Sequence, residues 1–147
     1  MGSRRRAREA ALQALYQIDL NPGLTPAQAL AHVFETFARG GGGEGADEDA
    51  DLRTFSARLV TGVVERRAQI DEILASASTH WRLDRMAAVD RNLLRLGTQE
   101  ILFEAEIPAS VTIDEAVEIA KRYGTGESPA FVNGVLQRVA ADAKVGK

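Results

Sequence analysis

Apolar positions recur at helical spacing along most of the chain, and the interruptions between them mark off about seven segments. Leu12, Leu15 and Tyr16 keep the i, i+3, i+4 spacing of one helix face and predict a first helix over residues 4–20. Asn21-Pro22-Gly23 ends it as a turn. Thr25-Pro26 opens a second helix, with Thr as N-cap and Pro at the first helical position, and Leu30, Val33, Phe34 and Phe37 form its stripe. Residues 40–51 break the pattern. They are rich in Gly, Asp and Glu, hold no apolar residue larger than Ala, and predict a flexible loop.

Helical spacing resumes with Leu52, Phe55, Leu59 and Val63, and again with Ile70, Ile73 and Leu74. These predict two helices, or one helix bent near Gly62, up to Ala77. Residues 79–83 read as a connector, with the next helix starting around Asp84. Val89, Leu93, Leu96, Glu100 and Phe103 share one face of that helix, while Leu94, Ile101 and Leu102 widen the apolar surface, so it is expected to be buried on more than one side. It stops before Pro108. The β-branched residues of 109–113 predict a short extended stretch before a sixth helix through Ile113, Val117 and Ala120, capped by Gly124. Ser128-Pro129 opens the last helix, whose inner face carries Phe131, Val135 and Val139. No β pattern competes, so the fold class is all-α.

Composition sharpens this picture. At 147 residues the chain suits one domain, with room for two helical groups of about residues 4–78 and 79–143. Aromatic content is only 5%, and the abundance of Ala and Leu favours helix. With no cysteine, disulfides, thiol catalysis and Cys-ligated metal are excluded. Apolar runs fall far short of the ~20 residues that span a bilayer. Glu9, Gln13, Gln17 and Asp19 interrupt any secretory apolar region, and Glu9 argues against a transit peptide. A cytoplasmic protein without membrane contact is expected.

Charge is unevenly distributed. Arg4, Arg5, Arg6 and Arg8 are four of the 18 basic residues, and without them 14 basic residues face 21 acidic ones. A cationic end on an anionic body points to a polyanion partner. Arginine suits RNA because its fork pairs with phosphate and its plane stacks on bases. Arg5, Arg8, Leu12 and Tyr16 are predicted near one helical stripe, which would put guanidinium groups and a phenol along one edge.

Catalytic constellations are missing. His32 and His80 are the only histidines, and His32 with Glu35 offers two metal ligands at most. Asp47, Asp49 and Asp51 imitate the start of a calcium loop, but its sixth and twelfth positions are Leu52 and Arg58. The glycines at 40–43 lack the Gly-Lys-Ser/Thr of a phosphate loop. No enzyme, metal or cofactor is expected. Two other segments stand out. In residues 123–136, Asn133 and Gly134 sit inside a helix that both disfavour, a broken local rule of the kind found at sites or at tight helix crossings. In residues 90–100, Arg91 and Arg95 are four apart and are expected to form structural ion pairs.

Taken in order, four motifs resemble the NusB family of bacterial transcription antitermination factors. They are Arg4-Arg5-Arg6-Ala7-Arg8-Glu9 with Ala14-Leu15-Tyr16, Asp90-Arg91-Asn92-Leu93-Leu94-Arg95, Ile113-Asp114-Glu115-Ala116-Val117-Glu118-Ile119-Ala120-Lys121, and Phe131-Val132-Asn133-Gly134-Val135-Leu136. The resemblance covers nearly all of residues 4–142. It implies a fold of two packed helical subdomains and a non-catalytic role: binding the boxA element of nascent ribosomal RNA transcripts together with the ribosomal protein NusE, within a complex that makes RNA polymerase resistant to termination. It assigns Arg4, Arg5, Arg6 and Arg8 to an arginine-rich RNA-binding motif, Glu127, Ser128, Phe131 and Asn133 to a second RNA-facing region, and Tyr16 to the NusE surface. Family members occur as monomers and as homodimers, and the sequence leaves both open. The alternative is a stand-alone binding module like the NusB-like domains of RNA cytosine methyltransferases. The loop at 40–51 departs from the family in its Gly and acid content.

Overall fold

The computed structural model describes residues 2–39, 46–79 and 81–145. Among these the chain forms seven α-helices and no strand, as the spacing predicts: α1 (Gly2–Leu20), α2 (Pro26–Arg39), α3 (Ala46–Glu65), α4 (Arg67–Ala77), α5 (Ala88–Phe103), α6 (Ala109–Tyr123) and α7 (Ser128–Val145). His80 and most of the expected loop lie outside the described residues.

Two compact units divide the chain between Val64 and Glu65. In the first, α1 packs on α2. Small residues make the close approach of α1 possible: Ala7, Ala10, Ala11 and Ala14 are all fully buried, beside Leu12, Leu15 and Ile18. Leu30 and Val33 of α2 and Leu52, Phe55, Leu59 and Val63 of α3 are buried as the stripes predict. The turn after α1 is an Asx turn, in which the Gly23 amide donates to Asn21 Oδ1 at 3.2 Å. A reciprocal capping box then starts α2: the Gln28 amide donates to Thr25 Oγ1 at 3.1 Å, and the Thr25 amide donates to Gln28 Oε1 at 2.9 Å.

In the second unit α5 is the central helix and packs against α4, α6 and α7. Leu93, Leu94 and Leu96 are buried on different sides of it, as its wide apolar surface predicts. Gly97 lets α7 come close, because a Cβ there would fall 2.7 Å from Leu136 Cδ1. Helix α4 packs on α5 and α7, so it belongs with this unit, whereas the linear pattern groups it with the N-terminal half.

Three boundary expectations are corrected. Helix α3 begins at Ala46, inside the segment expected to be loop up to Asp51. An alanine- and acid-rich stretch lacks an apolar stripe, yet it suits a helix N-terminus, where negative charge is favourable. Residues 83–85 form a single 3-10 turn, and α5 begins at Ala88 rather than near Asp84. Residues 109–113 are helical from Ala109 instead of extended, because Pro108 in extended geometry supplies the N-cap directly.

The arginines at 91 and 95 are structural, but in different ways. Arg91 Nη1 donates to the carbonyls of Leu83 and Met86 at 3.0 and 3.1 Å, tying the 3-10 turn to α5. Arg95 is buried and reaches α4, donating from Nε and Nη2 to Asp71 at 2.8 and 3.1 Å and from Nη1 to Asn92 Oδ1 at 3.1 Å.

Candidate nucleic-acid interface

The first part of the site is the opening of α1. Because the arginines are helical from the start, they leave the backbone in different directions and meet different fates. Arg4 is exposed and forms a two-pronged ion pair with Asp51, Nε and Nη2 donating at 3.1 and 3.3 Å. Its guanidinium also lies over the Phe55 ring, 4.0 Å from the centroid. Arg5 and Arg6 are half-buried. Arg8 is only 4% exposed, with its guanidinium 5.4 Å from the same Phe55 ring. Arg58 completes the group at 5.2 Å. Phe55 is thus a buried anchor under several cations, each contact contributing about 0.5–2 kcal/mol.

The predicted stripe of Arg5, Arg8, Leu12 and Tyr16 therefore does not present a continuous exposed edge. Arg8 and Leu12 face inward, while Tyr16 is 38% exposed and continues to Leu20 at 69%. Arg4 is exposed, Arg5 and Arg6 are half-buried with the Arg6 Nε shielded from solvent, and Arg8 is buried beneath them.

Asp51 occupies the fork of the Arg4 guanidinium, the same donor geometry with which arginine binds phosphate. Exposed ion pairs are worth about 0.2–1 kcal/mol, little enough for a polyanion to displace. Asp51→Asn is expected to raise affinity for single-stranded RNA about two- to five-fold at low salt, as read by fluorescence anisotropy. A drop in affinity would mean that Asp51 orders Arg4 for binding instead.

The second part lies in the other unit, at the α6–α7 turn. Gly124 caps α6 in extended rather than left-handed geometry. Glycine is needed there for space, since a Cβ would collide with the Ser128 side chain and the Ala120 carbonyl. Ser128 is 1% exposed. Its Oγ accepts from the Thr125 amide at 3.0 Å, and Thr125 Oγ1 in turn accepts from the Glu127 amide at 3.3 Å. Of the four residues assigned to this region, Glu127 and Asn133 are exposed, Phe131 is half-buried, and Ser128 is the buried brace that shapes the turn.

Gly134 is exposed, and a Cβ there meets nothing within 4 Å. It admits no crossing helix among the described residues, so the broken helix rule leaves a bare patch of surface beside Asn133. Gly134→Ala is expected to stabilise the protein by up to about 1 kcal/mol while weakening RNA binding, because the added methyl blocks close backbone approach. Denaturation midpoints and anisotropy on the same variant check both signs.

Sequence reasoning missed what surrounds Phe131. A cavity of about 320 Å³ is lined by Trp81, Arg85, Met86, Ala87, Asp90, Thr125, Glu127 and Phe131. Trp81 and Phe131 meet edge to face, with centroids 6.0 Å apart and planes at 74°. Ser78 fixes the Trp81 backbone: its carbonyl accepts from the Trp81 amide at 3.0 Å, and its Oγ donates to the Trp81 carbonyl at 3.3 Å. The available signal was Trp81 itself, the single tryptophan of the chain, in a connector where no core demanded it. His32 is exposed. Among the described residues no group of three or more His, Asp or Glu side chains gathers as a metal site, and no helix is long and apolar enough to cross a membrane.

Comparison with known proteins agrees with this fold. The sequence model of the NusB family matches residues 5–141. The transcription antitermination protein NusB of Sorangium cellulosum is 48% identical over 140 residues, covering 95% of this chain and 93% of the relative. That of Myxococcus xanthus is 46% identical over 140 residues, with coverages of 95% and 96%. Among solved structures, T. maritima NusB superposes with a TM-score of 0.81 at 40% identity, covering 95% of this chain and 91% of that one. A chain from a complex of the antitermination factors NusB and NusE with dsRNA superposes at 0.80 with 28% identity, covering 97% and 98%. Full-length matches of this depth, on an all-helical fold with the arginine motif at its start, place the chain in the NusB family.

Proposed function

We propose that this chain is a non-catalytic transcription antitermination factor that binds boxA-type single-stranded RNA jointly with the ribosomal protein NusE. The observation that carries the reading is the run of arginines at Arg4, Arg5 and Arg6, exposed at Arg4 and half-buried at Arg5 and Arg6, built into α1 on a protein that is otherwise anionic. Family membership and the solved NusB–NusE–RNA assembly support the partner. Glu127, Phe131 and Asn133 form the second contact region, with Ser128 bracing it, and Arg8 supports the first from below. Tyr16 and Leu20 supply exposed apolar surface for NusE. The bound assembly engages RNA polymerase in the cytoplasm. A homodimer would compete with NusE only if it covered the same surface.

Phosphate contacts make the reading testable by salt. On single strands each contact steepens the dependence of log affinity on log salt by about 0.7. Titration of labelled boxA RNA at two salt concentrations should give a slope of about −2 or steeper, with a scrambled RNA binding more weakly. A flat salt response, or equal affinity for both RNAs, would overturn the proposal.

A further inference from the structure

Asp51, Phe55 and Arg58 follow one another along α3 at the i, i+4, i+7 spacing of a single helix face. On α1, Arg4 and Arg8 stand at i and i+4. The two faces meet at the Phe55 ring, which is 1% exposed, with the guanidinium carbons of Arg4, Arg58 and Arg8 at 4.0, 5.2 and 5.4 Å from its centroid. A guanidinium that lies over a ring spends its face there and keeps its N–H edge for acceptors. Arg4 does so: its edge takes both carboxylate oxygens of Asp51 at 3.1 and 3.3 Å. The Asp51 carboxylate therefore marks a seat that an anion fits. That seat is open to water, the side chains of Arg4 and Asp51 being 46% and 41% exposed. Arg58 is exposed one helical turn beyond Phe55. Cations gathered around one ring raise the local positive potential, which draws in a strand of phosphates. Arg53 is also an exposed arginine of α3, but it lies over Phe34, 4.6 Å from that centroid, and its position puts it on a different face.

We propose that Arg58 is a phosphate ligand for the single-stranded RNA, so that α3 extends the arginine track that α1 begins. The inference rests on the RNA-binding reading and adds to it a residue outside the N-terminal arginine motif. One phosphate enters the Arg4 fork in place of the Asp51 carboxylate, and a neighbouring phosphate of the same strand reaches Arg58 across Phe55. Because both guanidinium groups are tied to one buried ring, their separation is set before RNA arrives, and less side-chain freedom is lost on binding. Phe55 is the positioning residue, too deeply buried to stack on a base itself. Contacts to phosphate hold a strand in place and contacts to bases specify it. Arg58 thus adds affinity for boxA and scrambled RNA by the same factor.

The experiment titrates labelled boxA RNA and a scrambled RNA with the full chain over a series of salt concentrations, read by anisotropy, with the unfolding midpoint of each variant measured alongside. Arg58→Gln keeps an unbranched stem against Phe55 and removes the charge. It should weaken both RNAs about five- to ten-fold at low salt and flatten the slope of log affinity against log salt by about 0.7, the share of one phosphate. Arg53→Gln removes the same charge from another face of α3 and should leave affinity and slope at the parent values. Arg58→Lys should recover the slope, because the charge returns, while regaining only part of the affinity without the planar fork. Parent-like affinity and slope in Arg58→Gln overturn the inference. So does an equal loss in Arg53→Gln, which would assign the effect to the general field of the protein. A slope that stays flattened in Arg58→Lys overturns it as well, since the loss would then come from repacking around Phe55. Each of these results leaves the boxA preference of the parent, and with it the antitermination reading, standing. A parent that binds both RNAs equally, with the slope still falling in Arg58→Gln alone, would instead preserve Arg58 as a phosphate ligand and remove that reading.

Discussion

Replacing Arg4, Arg5 and Arg6 together by alanine will lower affinity for boxA RNA by about 100-fold at moderate salt and leave the fold in place. The magnitude follows from charge-assisted hydrogen bonds to phosphate, of which even two lost contacts at about 1.5 kcal/mol each amount to about two decades. The triple change should also flatten the salt dependence by about 2, one increment of 0.7 for each contact removed. Stability should fall by no more than about 2 kcal/mol, the loss of the Arg4 contacts to Asp51 and Phe55 being partly offset on a helix that alanine favours. Arg8→Ala is the contrasting control. Its side chain is buried beside Phe55, so its removal should lower the unfolding midpoint first and RNA affinity only as a consequence. Anisotropy and thermal unfolding on the two variants separate these outcomes. If the triple variant binds RNA as tightly as the parent, α1 is not the RNA-binding element.

The largest stability effect is expected at Arg95→Met, which should destabilise the second unit by about 3 kcal/mol. Arg95 spends its guanidinium entirely inside the structure, on Asp71 of α4 and Asn92 of its own helix. Deleting one partner of a buried ion pair leaves the other charge with its desolvation cost and no compensation. Asp71 is about one-third exposed and keeps Arg67 at 3.7 Å, which holds the estimate below the upper end of the ~3–5 kcal/mol range. The pair is also the polar link between α4 and α5, so the loss should appear as a lower denaturation midpoint rather than a local change. A midpoint shifted by less than about 0.5 kcal/mol equivalent, the range of ordinary surface substitutions, would show that the link is dispensable.

Helix existence was legible because the apolar stripes are strongly periodic; Thr25 marked the start of α2 through a capping box, and Gly124 marked the end of α6, though for space rather than for left-handed geometry. The boundaries that failed have local causes. Ala46 to Asp51 carries no stripe, so periodicity could not see the first turns of α3. Residues 109–113 are β-branched in part, but Pro108 ahead of them and burial of Thr112 and Ile113 override that propensity. The place of α4 depends on long-range contacts such as Arg95 to Asp71, which no linear pattern encodes. For the site, the arginine cluster was visible as charge, whereas its division into exposed Arg4, half-buried Arg5 and Arg6 and buried Arg8 depends on where Phe55 sits in space. The second region was visible only as a broken helix rule at Asn133 and Gly134. The cavity joins residues from 81 to 131 and could be found only after folding. Ser128 reads from sequence as the opening of the last helix, and the structure turns its hydroxyl inward to Thr125.

The most direct test of the account is the affinity for boxA RNA measured by anisotropy with and without saturating NusE, using a scrambled RNA as reference. Shared recognition predicts detectable but modest binding by this chain alone, and about ten-fold tighter, boxA-selective binding in the presence of NusE, a coupling of roughly 1.4 kcal/mol within the ordinary range. An affinity for boxA that NusE leaves unchanged, or that NusE raises equally for the scrambled RNA, would contradict it.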